Sequence, residues 1–115
     1  MQWFVLLALI VLVAAGMAEA QKPKPETVIT VHAKKYAFVP GQITIHVGQP
    51  VRLFFVSEDV PHAIAVDELA IDLPITKKPS SILITPQKVA ELTGMCSRYC
   101  GAGHDEMRLT IHVVP

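Results

Sequence analysis

The stretch TVITVHAKKYAFVP, residues 27–40, decides the fold class of this chain. Apolar and polar residues alternate through its first half, which is the period of a strand with one buried face. The residues on the apolar face are Ile29, Val31 and Ala33. Pro40 and Gly41 then predict a turn. The stretch therefore predicts a strand that packs one side against a core.

Similar stretches follow downstream. They are QITIHVGQ, PVRLFFVS, HAIAV, SSILITP, KVAEL and MRLTIHVV. PVRLFFVS is almost continuously apolar, which predicts a strand covered on both faces, whereas DELAIDLPITKKP reads as a proline-rich connection. Seven or so short strands separated by turns favour an all-β domain in which two sheets pack as a sandwich.

The N-terminal segment reads as a leader. It is apolar from Trp3 to Ala18 and then ends in Ala-Glu-Ala, a pattern that signal peptidase prefers. We expect residues 1–20 to be a signal peptide, residues 21–26 a linker and residues 27–115 the folded domain. The alternative is an uncleaved N-terminal anchor, which would associate the domain with a membrane through residues 3–18. Both interpretations predict an exported domain, either periplasmic or at the extracytoplasmic face of a membrane.

The charge of the chain excludes one class of partner. Ten basic and ten acidic residues balance, and loss of residues 1–20 removes only Glu19, which leaves ten against nine. Binding to nucleic acid depends on neutralising many phosphates with an excess of Lys and Arg. We therefore expect no nucleic-acid partner.

The stretch CSRYCGAGHDEM, residues 96–107, brings both cysteines of the chain together with a histidine and a methionine. One further histidine, His62, falls in phase with Ile64 and Val66 and therefore faces the predicted core. The combined donor set contains soft and borderline ligands and no carboxylate, which suits copper best and zinc second. Its members are His62, Cys96, Cys100, His104 and Met107.

Each of these residues also has an ordinary structural interpretation. A buried histidine can bond to a backbone carbonyl, a methionine in phase with apolar residues can be core packing, and two cysteines in an exported chain can form a disulfide. The polar-face histidines His32, His46 and His112 are expected to be solvated, and so are the acidic residues Glu58 and Asp59. The concentration of donors in one short stretch is what favours a metal.

The pattern C-x-x-x-C-x-x-x-H-x-x-M, with SEDVPHAIAV upstream, resembles the binuclear copper A domain of cytochrome c oxidase subunit II. The resemblance extends from about Tyr36 to Val114. It implies a cupredoxin-like Greek-key β-sandwich and a centre of two copper ions that relays single electrons. It also implies the metal ligands, which are His62, Cys96, the backbone carbonyl of Arg98, Cys100, His104 and Met107.

The resemblance further implies how the ligands are shared. Both cysteines would bridge the two ions, His62 and Met107 would complete one, and His104 with the Arg98 carbonyl would complete the other. The partners would be a redox donor and a redox acceptor. We expect no catalysis by this chain alone, because the haem-copper centre that reduces oxygen is not in this sequence. An independent domain that resembles subunit II is favoured over a full oxidase subunit, and the role of an electron-entry component of a cytochrome c oxidase-like complex stays open.

Two other copper functions stay open from the residues themselves. One is a mononuclear blue-copper electron carrier that uses His62, Cys100, His104 and Met107 and leaves Cys96 unused. The other is a copper chaperone or scavenger, which would hold Cu(I) and pass it on without cycling electrons. A cysteine hydrolase is disfavoured, because such enzymes need an orienting residue and an oxyanion hole.

Overall fold

The structure is a computed structural model that describes residues 25–115. Within this range the chain forms nine strands and two short 3-10 helices, which confirms the predicted all-β class. The strands are β1 (Thr27–Lys34), β2 (Ala37–Val39), β3 (Gln42–His46), β4 (Val51–Ser57), β5 (His62–Val66), β6 (Ile71–Ile75), β7 (Ser80–Ile84), β8 (Ala90–Cys96) and β9 (Arg108–Val114). The 3-10 helices are Asp67–Leu69 and His104–Glu106.

The strands form two sheets. A four-stranded sheet has the order β2-β1-β4-β7, and a five-stranded sheet has the order β3-β9-β8-β5-β6. The β1–β4 and β3–β9 pairs are parallel and the other pairs are antiparallel. The expected sandwich of two sheets is therefore confirmed.

The core follows the alternation seen in the sequence. Val31 and Ala33 of β1 are fully buried, and the alternate residues of β9 that face the same interior are Leu109, Ile111 and Val113. Burial of such apolar side chains is the main source of folding free energy in a domain of this size. The faces predicted from period two are the faces that the sandwich buries.

Two predictions about individual stretches were wrong. The segment read as a proline-rich connection contains β6, which tolerates Pro74 because it lies at the edge of its sheet and needs a ladder on one side only. β4 is not covered on both faces, since Arg52, Phe54 and Val56 are half-buried while their neighbours are buried. Outward apolar residues such as Phe54 made the run look like an interior strand.

The leader lies outside the described residues, and so does most of the predicted linker. The predicted signal peptide and the alternative membrane anchor therefore stay predictions. In the described part of the chain, no helix has the length and hydropathy needed to cross a bilayer.

Candidate metal centre

The candidate donors meet at one end of the five-stranded sheet, where three neighbouring strands begin or end. β5 begins at His62, β8 ends at Cys96 and β9 begins directly after Met107. Antiparallel pairing places Cys96 opposite Ile64, two residues from His62 and on the same face. Met107 lies in phase with the inward-facing Leu109. The topology of the sheet thus brings these ends of β5, β8 and β9 together at one buried point.

The two thiols form the middle of the cluster. The sulfur atoms of Cys96 and Cys100 are 3.8 Å apart, and both cysteines are free. This separation far exceeds the length of an S–S bond, so the two residues are not joined as a disulfide. The donor atoms of His62, Cys96 and Cys100 all lie within 4.8 Å of one another, and all three residues are buried.

The remaining candidates surround this sulfur pair. Nδ1 of His62 is 4.0 Å from the Cys96 sulfur, and the same thiol donates to the backbone carbonyl of Arg98 at 3.1 Å. The Cys100 sulfur lies 3.9 Å from Nδ1 of His104. It also lies 3.4 Å from the thioether sulfur of Met107. All six predicted ligand positions are therefore brought together, and their role as metal ligands stays a prediction.

Burial differs between the two sides of the cluster. His62 and Met107 have no exposed surface, whereas His104 is only half-buried. Tyr99 is 75% exposed, and its ring lies beside that of His104, with ring centroids 5.6 Å apart. The cluster is closed on the His62 side and reaches the surface at His104.

Asp59, which was predicted from the sequence to be a solvated charge, holds the His62 ring in place. Oδ1 of Asp59 lies 2.8 Å from Nε2 of His62. This contact leaves Nδ1 of the imidazole free to face the sulfurs. A carboxylate on the far nitrogen of a ligating histidine sets its ring orientation and tautomer. The i, i+3 spacing of Asp59 and His62 was the available sequence signal.

Asp59 is held in turn by the backbone. It accepts hydrogen bonds from the N–H groups of Lys35 and Val60, at 2.7 and 2.6 Å. Burial raises the pKa of Asp59, but the hydrogen bonds from His62 and these two N–H groups outweigh it and lower the pKa well below its ordinary value. The carboxylate therefore stays ionised and can hold His62 at neutral pH.

The loop that carries the other donors is anchored at both ends. The Ser97 N–H donates to the Ala63 carbonyl at 3.1 Å, and its hydroxyl donates to Asp72 at 3.0 Å. At the far end, the Met107 carbonyl accepts a hydrogen bond from the Cys96 N–H at 3.4 Å. Gly101 has a φ of 136°, a left-handed conformation that favours glycine. The loop can therefore curl and return His104 toward Cys100.

The chemistry of the thiol pair fits a soft cation. Burial, together with the neighbouring Cys96 thiol, raises the pKa of Cys100 to about 11. Two adjacent thiolates in this interior would repel each other, so both can ionise only when positive charge is supplied between them. Thiols, imidazoles and a thioether are ligands that copper prefers. The residues present therefore fit the copper centre expected from the sequence.

The other histidines are not part of the cluster, as predicted. His32 lies 3.4 Å from Glu58 near the surface, and His46 lies 3.0 Å from the Pro115 carbonyl. His112 is 3.1 Å from the Gln42 side-chain oxygen. Each therefore has a partner of its own away from the sulfur pair.

Comparison with known proteins supports the same interpretation. A family model described as the periplasmic domain of cytochrome c oxidase subunit II matches residues 24–114. The fold is similar to that of the periplasmic domain of cytochrome oxidase subunit II from Bradyrhizobium japonicum, with 19% identity and a TM-score of 0.72 over 80% of this chain and 86% of that one.

Two further solved structures share the fold. One is subunit II of cytochrome c oxidase in a mixed disulfide with a thioredoxin-like protein, with 18% identity and a TM-score of 0.66 over 84% of this chain and 87% of that one. The other is auracyanin A, a blue copper protein from Chloroflexus aurantiacus, with 12% identity and a TM-score of 0.62 over 77% of this chain and 99% of that one. The cupredoxin-like fold is thereby confirmed.

Proposed function

Because the chain belongs to the family of the periplasmic domain of cytochrome c oxidase subunit II, we propose that it is an electron-transfer domain with a binuclear copper A centre. The observation that carries the proposal is the pair of buried, unbonded thiols 3.8 Å apart, with an imidazole beside each sulfur. A mononuclear site has no use for the second buried thiol.

The ligand assignment follows the family pattern. Cys96 and Cys100 would bridge two copper ions, with His62 and Met107 on one and His104 with the Arg98 carbonyl on the other. Such a centre supplies one-electron transfer with little rearrangement, because both ions share the change in charge. The proximity of all six groups in the structure supports this assignment.

The protein contributes rigidity and the exclusion of water. Asp59 holds the His62 ring, and the sheet fixes the backbone on which His62 and Cys96 lie. Complete burial of His62 and Met107 keeps solvent from one side of the sulfur pair. Donors held in this way need little movement when the charge of the centre changes, which favours fast electron transfer.

The partners that this function requires are redox proteins. We propose that a one-electron donor and an acceptor meet the domain at the His104 side, where the cluster approaches the surface. The mixed disulfide of a similar subunit II domain with a thioredoxin-like protein supports a second partner class, a thiol reductant that keeps Cys96 and Cys100 reduced before copper binds. Family membership supports an exported domain that faces the periplasm.

Copper stoichiometry and electron paramagnetic resonance test the proposal together. The copper-loaded protein should contain two ions per chain, and the hyperfine pattern should come from one electron shared equally by two nuclei. One ion with single-nucleus splitting would replace the proposal by a mononuclear carrier. A spectroscopically silent Cu(I) form that does not oxidise reversibly and gives its copper to an acceptor would replace it by a chaperone.

A further inference from the structure

The corner between β1 and β2, formed by Lys35 and Tyr36, contacts both sides of the metal cluster. On one side, the Lys35 N–H donates to Oδ2 of Asp59 at 2.7 Å. The other oxygen of Asp59 contacts His62 at 2.8 Å. The backbone directly before Tyr36 is therefore tied to the strand-borne histidine through a single carboxylate.

On the other side, the Tyr36 ring lies along the loop between Cys100 and His104. A Cβ added at Gly103 would lie 2.5 Å from both Cγ and Cδ2 of the ring. A Cβ added at Gly101 would lie 2.9 Å from Cε1, and the ring hydroxyl is nearer still. The ring thus runs lengthwise over the loop, with Gly103 near its Cβ end and Gly101 near its hydroxyl end.

The Tyr36 ring lies so close to the backbone at Gly101 and Gly103 that a side chain at either position would clash with it. At Gly41, by comparison, an added Cβ would be 3.5 Å from its nearest neighbour, the Phe38 carbonyl, which is an ordinary contact. Only a loop without side chains at positions 101 and 103 admits the ring. Tyr36 is 38% exposed, so it covers the loop from the solvent side.

The two glycines lie between two donors. Gly101 follows Cys100 and Gly103 precedes His104, so the path of the loop sets the 3.9 Å separation of the Cys100 sulfur and the His104 Nδ1 atom. A ring pressed on this path restricts both donors at once. The restriction comes from the shape of the ring, because ring atoms lie against both glycine positions.

We propose that Tyr36 is a positioning residue that fixes Cys100 and His104 relative to His62 and Cys96. Its ring restricts the positions that the loop backbone can take. The adjacent Lys35 N–H is bonded to Asp59, which contacts His62, so the loop is held relative to His62. The description of these residues as copper ligands rests on the proposed function. The packing of Tyr36 on the loop does not, so the first test uses metal-free protein.

The first test measures the alkylation rate of the Cys100 thiol in the full-length, reduced, metal-free chain by mass spectrometry at neutral pH. Tyr36→Ala should raise the rate by at least about tenfold, because local opening of the loop becomes easier. Tyr36→Phe keeps the ring and should stay near the wild-type rate. Val39→Ala, a truncation at a half-exposed position of β2, is the control for a general loss of stability.

The second test is a double-mutant cycle. Gly103→Ala places a methyl group against the ring and should also raise the alkylation rate, whereas Gly41→Ala should not. Adding Tyr36→Ala to Gly103→Ala removes the ring atoms at 2.5 Å and leaves only the Cβ of residue 36 at 3.0 Å, so the double variant should react little faster than Tyr36→Ala alone. Additive effects of the two substitutions would overturn the proposed contact.

Copper-loaded protein gives a readout that stability alone does not change. Tyr36→Ala should make the hyperfine couplings of the two nuclei unequal, and Tyr36→Phe should restore equal coupling. Wild-type couplings in Tyr36→Ala, with an alkylation rate equal to that of Val39→Ala, would overturn the positioning role. If wild-type protein fails to bind two coppers, the proposed function fails, and the alkylation tests still decide the role of Tyr36.

Discussion

The donors borne by strands and those borne by the loop are held in different ways. His62 and Cys96 lie within β5 and β8, where ladder hydrogen bonds and complete or nearly complete burial fix them. Cys100 and His104 lie in a loop that ends in a single 3-10 turn and is covered by exposed aromatic rings. One half of the centre is set by the sheet, and the other depends on packing over a glycine-rich loop.

The two sides of the centre therefore differ in how readily their donors can move. Strand positions exist as soon as the sandwich folds, because the same hydrogen bonds that stabilise the sheet place them. Loop positions have fewer backbone constraints and open more readily. We expect substitutions at the strand-borne donors to alter whether metal binds. We expect substitutions that loosen the loop to alter the symmetry of the bound copper centre.

The largest expected effect comes from removing one bridging thiol. Cys96→Ser should abolish the two-copper form, because a hydroxyl does not replace a bridging thiolate as a soft ligand. The measurement is the copper content together with the paramagnetic resonance spectrum. Thr93→Ala, which changes an exposed residue of the same strand, is the control and should retain two ions. An intact two-copper spectrum in Cys96→Ser would contradict the bridging role.

A smaller effect is expected from the carboxylate behind His62. Asp59→Ala should lower copper affinity by about 10–100-fold, the usual loss when a partner of a ligating histidine is removed. Competition with a chromophoric chelator would measure it. Glu58→Gln changes the neighbouring carboxylate, which pairs with His32 instead, and should leave the affinity unchanged. An equal loss of copper affinity in both variants would indicate a general effect of negative charge and would contradict a specific role for Asp59.

The smallest effect is a pH dependence of the metal-free protein. The pKa of Cys100 is raised to about 11, from an ordinary value of 9.0. The folded chain therefore holds this proton more tightly than the unfolded chain does. The resulting stability is fully present below pH 9.0 and is lost as the pH rises through about 11. Thermal unfolding of the reduced protein should show a fall across this window.

The matched control for this titration is Cys100→Ala, which lacks the thiol but keeps the tyrosines and lysines that also titrate at high pH. Its unfolding temperature should fall less over the same window. If the two proteins lose stability in parallel, other groups account for the pH dependence.

The sequence predicted much of the fold because strand signals are local. Alternation in residues 27–34 and 108–114 gave the buried faces of β1 and β9 correctly. It failed for β6, where Pro74 is compatible with a strand only because that strand is at a sheet edge. Edge position is a property of the assembled sheet and has no signature in the strand itself.

The sequence also predicted which residues would meet at the site, since their donor types and spacing are written in one short stretch and one histidine. It did not predict the contacts that hold them. The distance from Asp59 to His62 and the packing of Tyr36 on the loop depend on where separate turns end in space. Both residues look like ordinary surface residues when only their neighbours in the chain are considered.

Patterns along the chain were enough to predict the all-β class, the inward faces of most strands and a soft donor set suited to copper. Three contacts became visible only in the folded chain. His62 and Cys96, distant in the chain, face each other, Asp59 turns the His62 ring toward the sulfurs, and Tyr36 lies over the ligand loop. The two kinds of feature differ in how far apart in the chain the residues that produce them lie. Side-chain period and ligand chemistry are properties of neighbouring residues, whereas these contacts exist only after two sheets have packed and brought their ends together.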